Sequence, residues 1–75
     1  MKELIEYIAK AIVDNPDAVI VNEVPAENGV IFRLEVDPED TGKVIGKQGR
    51  IVKAMRTLLR VSALRKGTRA ILEIT

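Results

Sequence analysis

The spacing of apolar residues changes repeatedly along this chain, and these changes limit its fold more than any other feature. Residues 2–14 and 50–66 carry apolar side chains at helical intervals, whereas residues 18–24, 30–36 and 68–75 have the β-branched or alternating patterns of strands. A further short helix is expected after the second strand. The predicted order is α-β-β-α-α-β, which indicates an α+β fold with a three-stranded sheet packed against three helices.

Glycine, proline and aspartate residues predict where these elements begin and end. Asn28-Gly29 predicts a positive-φ turn between the first two strands. Asp37 is suited to cap the short helix with Pro38 in its first turn, and Gly67 is suited to end the long helix. The long helix is expected to bury one apolar stripe, formed by Ile51, Val52, Met55, Leu58, Leu59 and Ala63.

The composition removes the central residue of most catalytic schemes. A chain of 75 residues can bury only one core, so a single domain over residues 1–75 is expected. It has no cysteine and no histidine, which removes thiolate metal sites, the cysteine nucleophile, the commonest metal ligand and the usual proton shuttle at neutral pH. A nucleotide-binding P-loop does not fit, because only three residues separate Gly42 from Gly46 and Gln48 follows Lys47. We expect a cytoplasmic protein with no enzymatic activity, cofactor, metal or membrane span.

Charge is divided unevenly between the two halves of the chain. Residues 1–40 carry ten acidic and three basic side chains, whereas residues 41–75 carry one acidic and nine basic side chains. The net charge of +1 therefore conceals two halves of opposite sign. A basic half favours an oriented complex with a polyanion such as a nucleic acid. The alternative is a chance segregation of solvated surface charge.

Two glycines bracket a basic loop between the second and third predicted helices. Gly46 and Gly49 have no Cβ, so the backbone can turn sharply there and a phosphodiester strand can approach it closely. The loop precedes the long helix, whose free N–H groups and partial positive charge favour an anion. Lys47 and Arg50 add full charges, and Gln48 can hydrogen-bond to a sugar or a phosphate.

The run from Gly42 to Val52, with Val-Ile-Gly followed by two residues and Gly, resembles the signature of the KH domain. The element order resembles the type II KH form, and the whole chain is similar to the bacterial single-KH RNA-binding proteins of the KhpA family. The resemblance implies that the loop at 46–49 grips the backbone of single-stranded RNA, beside a cleft for bases, while Val44, Ile45 and Val52 are expected in the core. The residues expected to contact RNA are Lys43, Gly46, Lys47, Gln48, Gly49, Arg50 and Lys53.

The same resemblance implies a cellular role that spacing and composition do not. A member of this family is expected to act as an RNA chaperone in post-transcriptional regulation and to affect cell shape and peptidoglycan homeostasis in the cell wall. A larger multidomain KH protein of the KhpB type is the implied partner in a heterodimer, with a homodimer as the alternative.

Few side chains are available to read bases. Tyr7 and Phe32 are the only aromatic residues, so stacking platforms are lacking and a weak sequence preference is expected. Along the long helix, the basic residues nearest the loop are expected to contact RNA, whereas those farther along fit a solvated face equally well. The nearer pair is Arg50 and Lys53, and the farther pair is Arg56 and Arg60. All four lie within about 120° of one another around the helix axis.

A protein-interaction module is the alternative function. Ala54, Val61 and Leu64 lie outside the main apolar stripe of the long helix, toward its basic edge, which is unusual for a fully solvated face. In this interpretation the domain dimerises through these residues and the glycine loop serves packing. Pairing would also present two loops to one RNA and raise the effective concentration of the second site.

Overall fold

The computed structural model describes residues 1–75 and confirms the predicted order α-β-β-α-α-β. Three helices and one three-stranded sheet give an α+β fold, consistent with a type II KH domain. No helix combines the length and the apolar character that crossing a bilayer requires. The elements are α1 (Lys2–Ile12), β1 (Ile20–Ala26), β2 (Gly29–Glu35), α2 (Thr41–Ile45), α3 (Arg50–Arg65) and β3 (Arg69–Ile74), with 3-10 turns at Pro16–Ala18, Pro38–Asp40 and Lys47–Gly49.

β2 is the central strand of the sheet. It pairs with β1 in antiparallel and with β3 in parallel orientation, so β1 and β3 are both edge strands. A parallel pair needs a long crossover connection, which α2 and α3 provide. β1 contains Pro25, opposite Val30 of β2. Proline has no N–H to donate, and a sheet accepts it where that missing donor faces solvent at an edge.

One face of the sheet packs against the helices to form the core. Phe32 and Leu34 of β2 are 2% and 0% exposed, and they share one apolar cluster with Ile5 of α1 and with Met55 and Leu59 of α3. Complete burial of such a side chain stabilises the fold by roughly 1.5–3 kcal/mol. The predicted alternation of β2 and β3 is confirmed by the residues in or against this cluster, which are Val30, Phe32, Leu34, Val36, Ala70, Leu72 and Ile74.

Two apolar residues that were predicted in the core lie at the surface. Leu58 is 48% exposed, because it sits about 100° around α3 from the buried Leu59 and outside the buried face of the helix. Ile45 is 37% exposed at the end of α2, whereas the preceding Val44 is fully buried. The helical pattern of α3 thus identified the buried stripe, but it also included Leu58, which lies outside that stripe.

The turn between β1 and β2 also differs from the prediction. Glu27 and Asn28 form the turn, and neither Asn28 nor Gly29 has a positive φ. Gly29 is instead the first residue of β2, and a Cβ there would lie 2.0 Å from the carbonyl oxygen of Arg69 in β3. The glycine is therefore needed for the close approach of β3 and not for the turn.

Of the two predicted helix signals, Gly67 ends the long helix as expected, whereas Asp37 caps a 3-10 turn before α2, and α2 itself begins only at Thr41. The carboxylate of Asp37 accepts a hydrogen bond from the backbone N–H of Glu39 at 3.0 Å, which caps the turn that leads into α2. Gly67 has a φ of 71°, and the N–H of the following Thr68 donates to the carbonyl oxygen of Ala63 at 2.9 Å. This bond is characteristic of a Schellman motif, which ends α3 and turns the chain into β3.

A buried carboxylate joins the end of α1 to α2. Asp40 is 2% exposed and accepts a hydrogen bond from the backbone N–H of Asn15 at 3.0 Å. Its Oδ1 lies 3.5 Å from Nζ of Lys43, which also donates to Asp14. Burial acts to raise the pKa of Asp40, but the backbone hydrogen bonds of Asn15 and Asp14 and the charge of Lys43 outweigh it and lower that pKa.

Gly29→Ala is expected to destabilise the protein, because the added Cβ meets the carbonyl oxygen of Arg69 and the strands must shift. We expect a loss of about 1–3 kcal/mol in the free energy of unfolding, measured by urea denaturation. Gly42→Ala is the control, since a Cβ on this residue of α2 has no atom within 4 Å. It should leave the free energy unchanged or raise it by up to about 1 kcal/mol. Equal effects of the two changes would contradict the close approach.

Asp40→Asn is expected to lower the melting temperature by several degrees at pH 7, because it removes a buried carboxylate that Lys43 and backbone N–H groups stabilise. A carboxyl with a lowered pKa contributes stability above its ordinary pKa of 3.8 and loses it as the pH falls through the folded-state value. The difference from wild type should therefore shrink below about pH 4 in melts followed by circular dichroism. Asp17→Asn, at an exposed carboxylate, should melt like wild type at pH 7. A difference that stays constant down to low pH would argue against this role of Asp40.

Candidate nucleic-acid interface

The loop between α2 and α3 has an uncommon backbone conformation. Gly46, Gln48 and Gly49 have φ values of 77°, 57° and 73°. Gln48 is the only residue other than glycine with a positive φ in the chain. A hydrogen bond from the N–H of Gly49 to the carbonyl oxygen of Gly46, at 3.1 Å, closes the turn. These conformations turn the chain sharply from α2 into α3.

The two glycines of this loop are required for different reasons. A Cβ on Gly46 would lie 2.6 Å from Cγ1 of Ile51, so the half-buried side chain of Ile51 occupies that space. A Cβ on Gly49 would have Cγ1 of Val52 as its nearest neighbour, at an ordinary distance of 3.8 Å. Gly46 therefore lets the loop pack on α3. Gly49 provides the left-handed turn and leaves the backbone bare.

Three basic side chains surround the loop. Lys47, Arg50 and Lys53 are exposed, and no carboxylate oxygen lies within 4.0 Å of their charged groups. Cε of Lys53 lies 3.9 Å from the position that a Cβ on Gly49 would take, so this side chain folds back toward the loop. Gln48 is also exposed. The structure thus brings six of the seven residues predicted to contact RNA together around one turn.

Lys43, the seventh of these residues, is held differently. Its ammonium group donates to Asp14 and lies 3.5 Å from Asp40. The hydrogen bond to Asp14 is the main cause of a raised pKa of Lys43, which keeps the side chain charged. Two carboxylates balance that charge. Lys43 therefore fixes α2 against the end of α1, and it adds less to the free cationic surface than Lys47 does.

The chemistry of the loop follows from its place at the start of a long helix. α3 has 16 residues and begins at Arg50, with Gly49 as its N-cap. The first N–H groups of a helix have no acceptor inside the helix, and they carry a partial positive charge. Together with the free cations beside them, these groups form a site that favours an anion such as a phosphodiester.

A shallow groove runs along α3, between the helix and the open edge of β3. Arg56 and Arg60 lie on its helix side, and Arg69 and Ile71 on its strand side. Nε and Nη2 of Arg56 donate to the carbonyl oxygen of Leu72 at 3.4 and 3.3 Å. Four of the seven residues that line the wider part of the groove are hydrophobic. The groove therefore combines cationic walls with an apolar lining.

The face of α3 that points away from the sheet is partly apolar. Val61 and Leu64 are 45% and 67% exposed, and Ala54 lies on the same face. With Thr57 they follow spacings of three, four and three residues, which is the interval at which helices pair. No other part of the chain covers this face.

The strand side of the groove is not predicted by the sequence. Arg69 and the backbone of Leu72 take part only because β3 lies parallel to β2 with one edge free beside α3. A local pattern of apolar residues identifies a strand, but it does not report which neighbour that strand pairs with. The arginines of α3 were visible as a basic face, whereas the hydrogen bond of Arg56 to a strand was not.

Known proteins are similar in sequence to this chain over nearly its whole length. A family model described as KhpA/KhpB, KH domain, matches residues 2–74. A protein of Caldanaerobacter subterraneus subsp. tengcongensis named RNA-binding protein KhpA is 58% identical over 74 residues, which cover 99% of each chain. Proteins of the same name from Clostridium perfringens and Aquifex aeolicus are 54% and 49% identical, over 99% of this chain and 99% and 94% of theirs.

These matches cover nearly the full length of this chain and of each relative, so they include the glycine loop and all six main elements. No solved structure matches the chain. The assignment depends instead on the family model, on relatives with about half or more of their residues identical, and on the observed element order. On these grounds the chain belongs to the KhpA/KhpB family of KH-domain proteins.

Proposed function

We propose that this chain binds single-stranded RNA by holding the sugar-phosphate backbone at the loop between α2 and α3. The observation that carries the proposal is the bare, sharply turned backbone at the start of a 16-residue helix, surrounded by cations with no acidic partner. Such a site favours phosphates whatever the base sequence. The contacting residues are Gly46, Lys47, Gln48, Gly49, Arg50 and Lys53, with Lys43 supporting them from α2.

Recognition of bases is expected to be weak. Phe32 is 2% exposed in the core and Tyr7 lies on α1, so neither aromatic ring supports a stacking platform at the loop. Affinity then depends mainly on phosphate contacts and falls steeply as salt displaces the strand. A weak, adaptable grip of this kind suits an RNA chaperone, which must release its RNA.

The broader role that we propose comes from the family resemblance. It is that of a cytoplasmic, non-catalytic RNA chaperone in post-transcriptional regulation, with effects on cell shape and on the peptidoglycan of the cell wall. The relatives described above are named RNA-binding proteins, which supports the first part of this role. The family description names KhpA and KhpB together, which is in keeping with a KhpB-type partner.

The double change Lys47→Asp and Gln48→Asp is expected to abolish most RNA binding, because it places two carboxylates where a phosphate would lie. In a titration of a labelled single-stranded oligoribonucleotide, affinity at low salt should fall roughly tenfold or more, with a shallower dependence on salt. Circular dichroism should be unchanged, since both side chains are exposed and both glycines remain.

The matched control is Lys10→Asp with Asn22→Asp, which makes the same change of charge on exposed positions in α1 and β1. This variant should keep its affinity within about twofold, because both positions lie in the acidic half of the chain. Equal losses in the two variants would mean that net charge, and not the loop, governs binding. Undiminished affinity of the loop variant at low salt would remove the loop from the interface.

A second proposal concerns the exposed face of α3 formed by Ala54, Val61 and Leu64. We propose that it pairs with another KH chain, either a second copy or a KhpB-type partner. Its support is the exposure of two large aliphatic side chains at the spacing of a helix-pairing stripe. Pairing would bring two weak loops onto one RNA and strengthen the overall grip.

Leu64→Glu is expected to shift the protein toward a monomer, because a charge replaces the more exposed of the two large aliphatic residues of this face. Sedimentation equilibrium of the purified chain would measure the change in mass. Tyr7→Glu serves as the control, since it replaces a side chain that is 76% exposed on α1. An unaltered dimeric mass in the Leu64 variant would exclude this face as the contact between copies.

A further inference from the structure

The side chain of Arg56 lies across the groove between α3 and β3. Its Nε and Nη2 both donate to the carbonyl oxygen of Leu72, at 3.4 and 3.3 Å. The residue also borders two adjoining depressions, one with Thr57, Arg60 and Ile71, the other reaching the end of β3. It therefore stands at the middle of the groove, farther along α3 than the loop.

The partner of Arg56 is a backbone group that the sheet does not use. β3 is an edge strand, and the N–H of Thr75 donates to Leu34 of β2. Alternate residues of a strand direct their backbone groups to opposite edges. Residues of β3 at even positions, including Leu72, thus face the open edge. The bond from Arg56 satisfies one acceptor there and fixes the direction of the guanidinium.

This bond leaves the other edge of the guanidinium free. An arginine has five N–H donors, and Leu72 receives only the side-on pair formed by Nε and Nη2. The end-on pair, from Nη1 and Nη2, remains. No carboxylate oxygen lies within 4.0 Å of Arg56. A planar, charged, two-donor fork of fixed orientation is therefore available to a ligand in the groove.

We propose that Arg56 is a specificity-determining residue that selects guanine at this point of a bound RNA strand. Guanine presents two adjacent acceptors, O6 and N7, which match a guanidinium fork. Adenine has an amino donor beside N7, so one N–H of the guanidinium fork would face another donor and make no hydrogen bond. The apolar residues along the groove suit the face of a base better than a phosphate. The inference rests on the proposed RNA binding at the loop and adds one base-selective contact to it.

The test compares octaribonucleotides of uridine that carry one central guanosine, adenosine or cytidine, or none. Wild type should bind the guanosine octamer roughly five- to tenfold more tightly than the adenosine octamer, as expected for one partly exposed bidentate contact. Arg56→Lys keeps the charge but has no fork. It should lose this preference while binding all-uridine RNA within about twofold of wild type.

Arg65→Lys is the matched control, because Arg65 is exposed at the end of α3 and lines none of the groove. It should keep the wild-type preference, and thermal melts should show that both variants remain folded. A retained guanosine preference in the Arg56 variant would overturn the inference. So would a preference for cytidine, or an equal loss for every octamer with a shallower salt dependence, which would indicate a phosphate contact. If wild type binds no octamer at all, the proposed function fails and the inference falls with it.

Discussion

The parallel pairing of β3 with β2 is the interaction on which the rest of the structure depends. It brings together residues about forty positions apart, from Gly29 opposite Arg69 to Leu34 opposite Ile74. Because the two strands run the same way, the chain must cross the molecule between them, and α3 makes most of that crossing. In this position α3 buries Met55 and Leu59 in the core, while the start of the helix and the glycine loop before it lie at the surface. A single residue without a side chain, Gly29, makes this pairing sterically feasible.

Within this framework the basic residues fall into two groups that their sequence positions do not separate. Lys43 and Arg33 are engaged by carboxylates of the same chain, the first with Asp40 at 3.5 Å and the second with Glu73 at 3.1 Å. The basic residues around the loop and in the groove have no such partner. Charge that is already balanced within the chain adds little to the surface potential, whereas unbalanced positive charge favours a polyanion. The difference separates cations that are paired with a carboxylate from those that are left free.

Much of this molecule could be predicted from sequence, because its local signals are strong. The order of elements follows from apolar periodicity, the turn that leads into α2 follows from Asp37, and the end of α3 follows from Gly67. The failures concern contacts between distant segments. Gly29 was interpreted through its neighbour Asn28 as a turn residue, whereas a strand forty positions later explains it. The exposure of Leu58 likewise depends on how much of α3 the rest of the chain covers, which periodicity along one helix does not report.

The candidate site was predictable to the same extent. The loop is a local motif, so its glycines and nearby cations were identified, although the packing of Ile51 against Gly46 was not. The groove is formed by two elements that meet only in the folded chain, so its strand side was not predicted. A side chain's partner, as for Lys43 and Arg56, likewise depends on tertiary structure.

The two edges of the sheet differ, because only β1 contains a proline. An incoming strand needs a regular row of donors and acceptors, and β1 offers one interrupted by Pro25, with Glu23 nearby on the same strand. At the opposite edge, in β3, the carbonyl oxygen of Leu72 already accepts hydrogen bonds from Arg56. Neither edge strand therefore offers the uninterrupted row of backbone donors and acceptors with which a strand of another sheet would pair. Pairing of a further strand with either edge of the sheet is thus disfavoured.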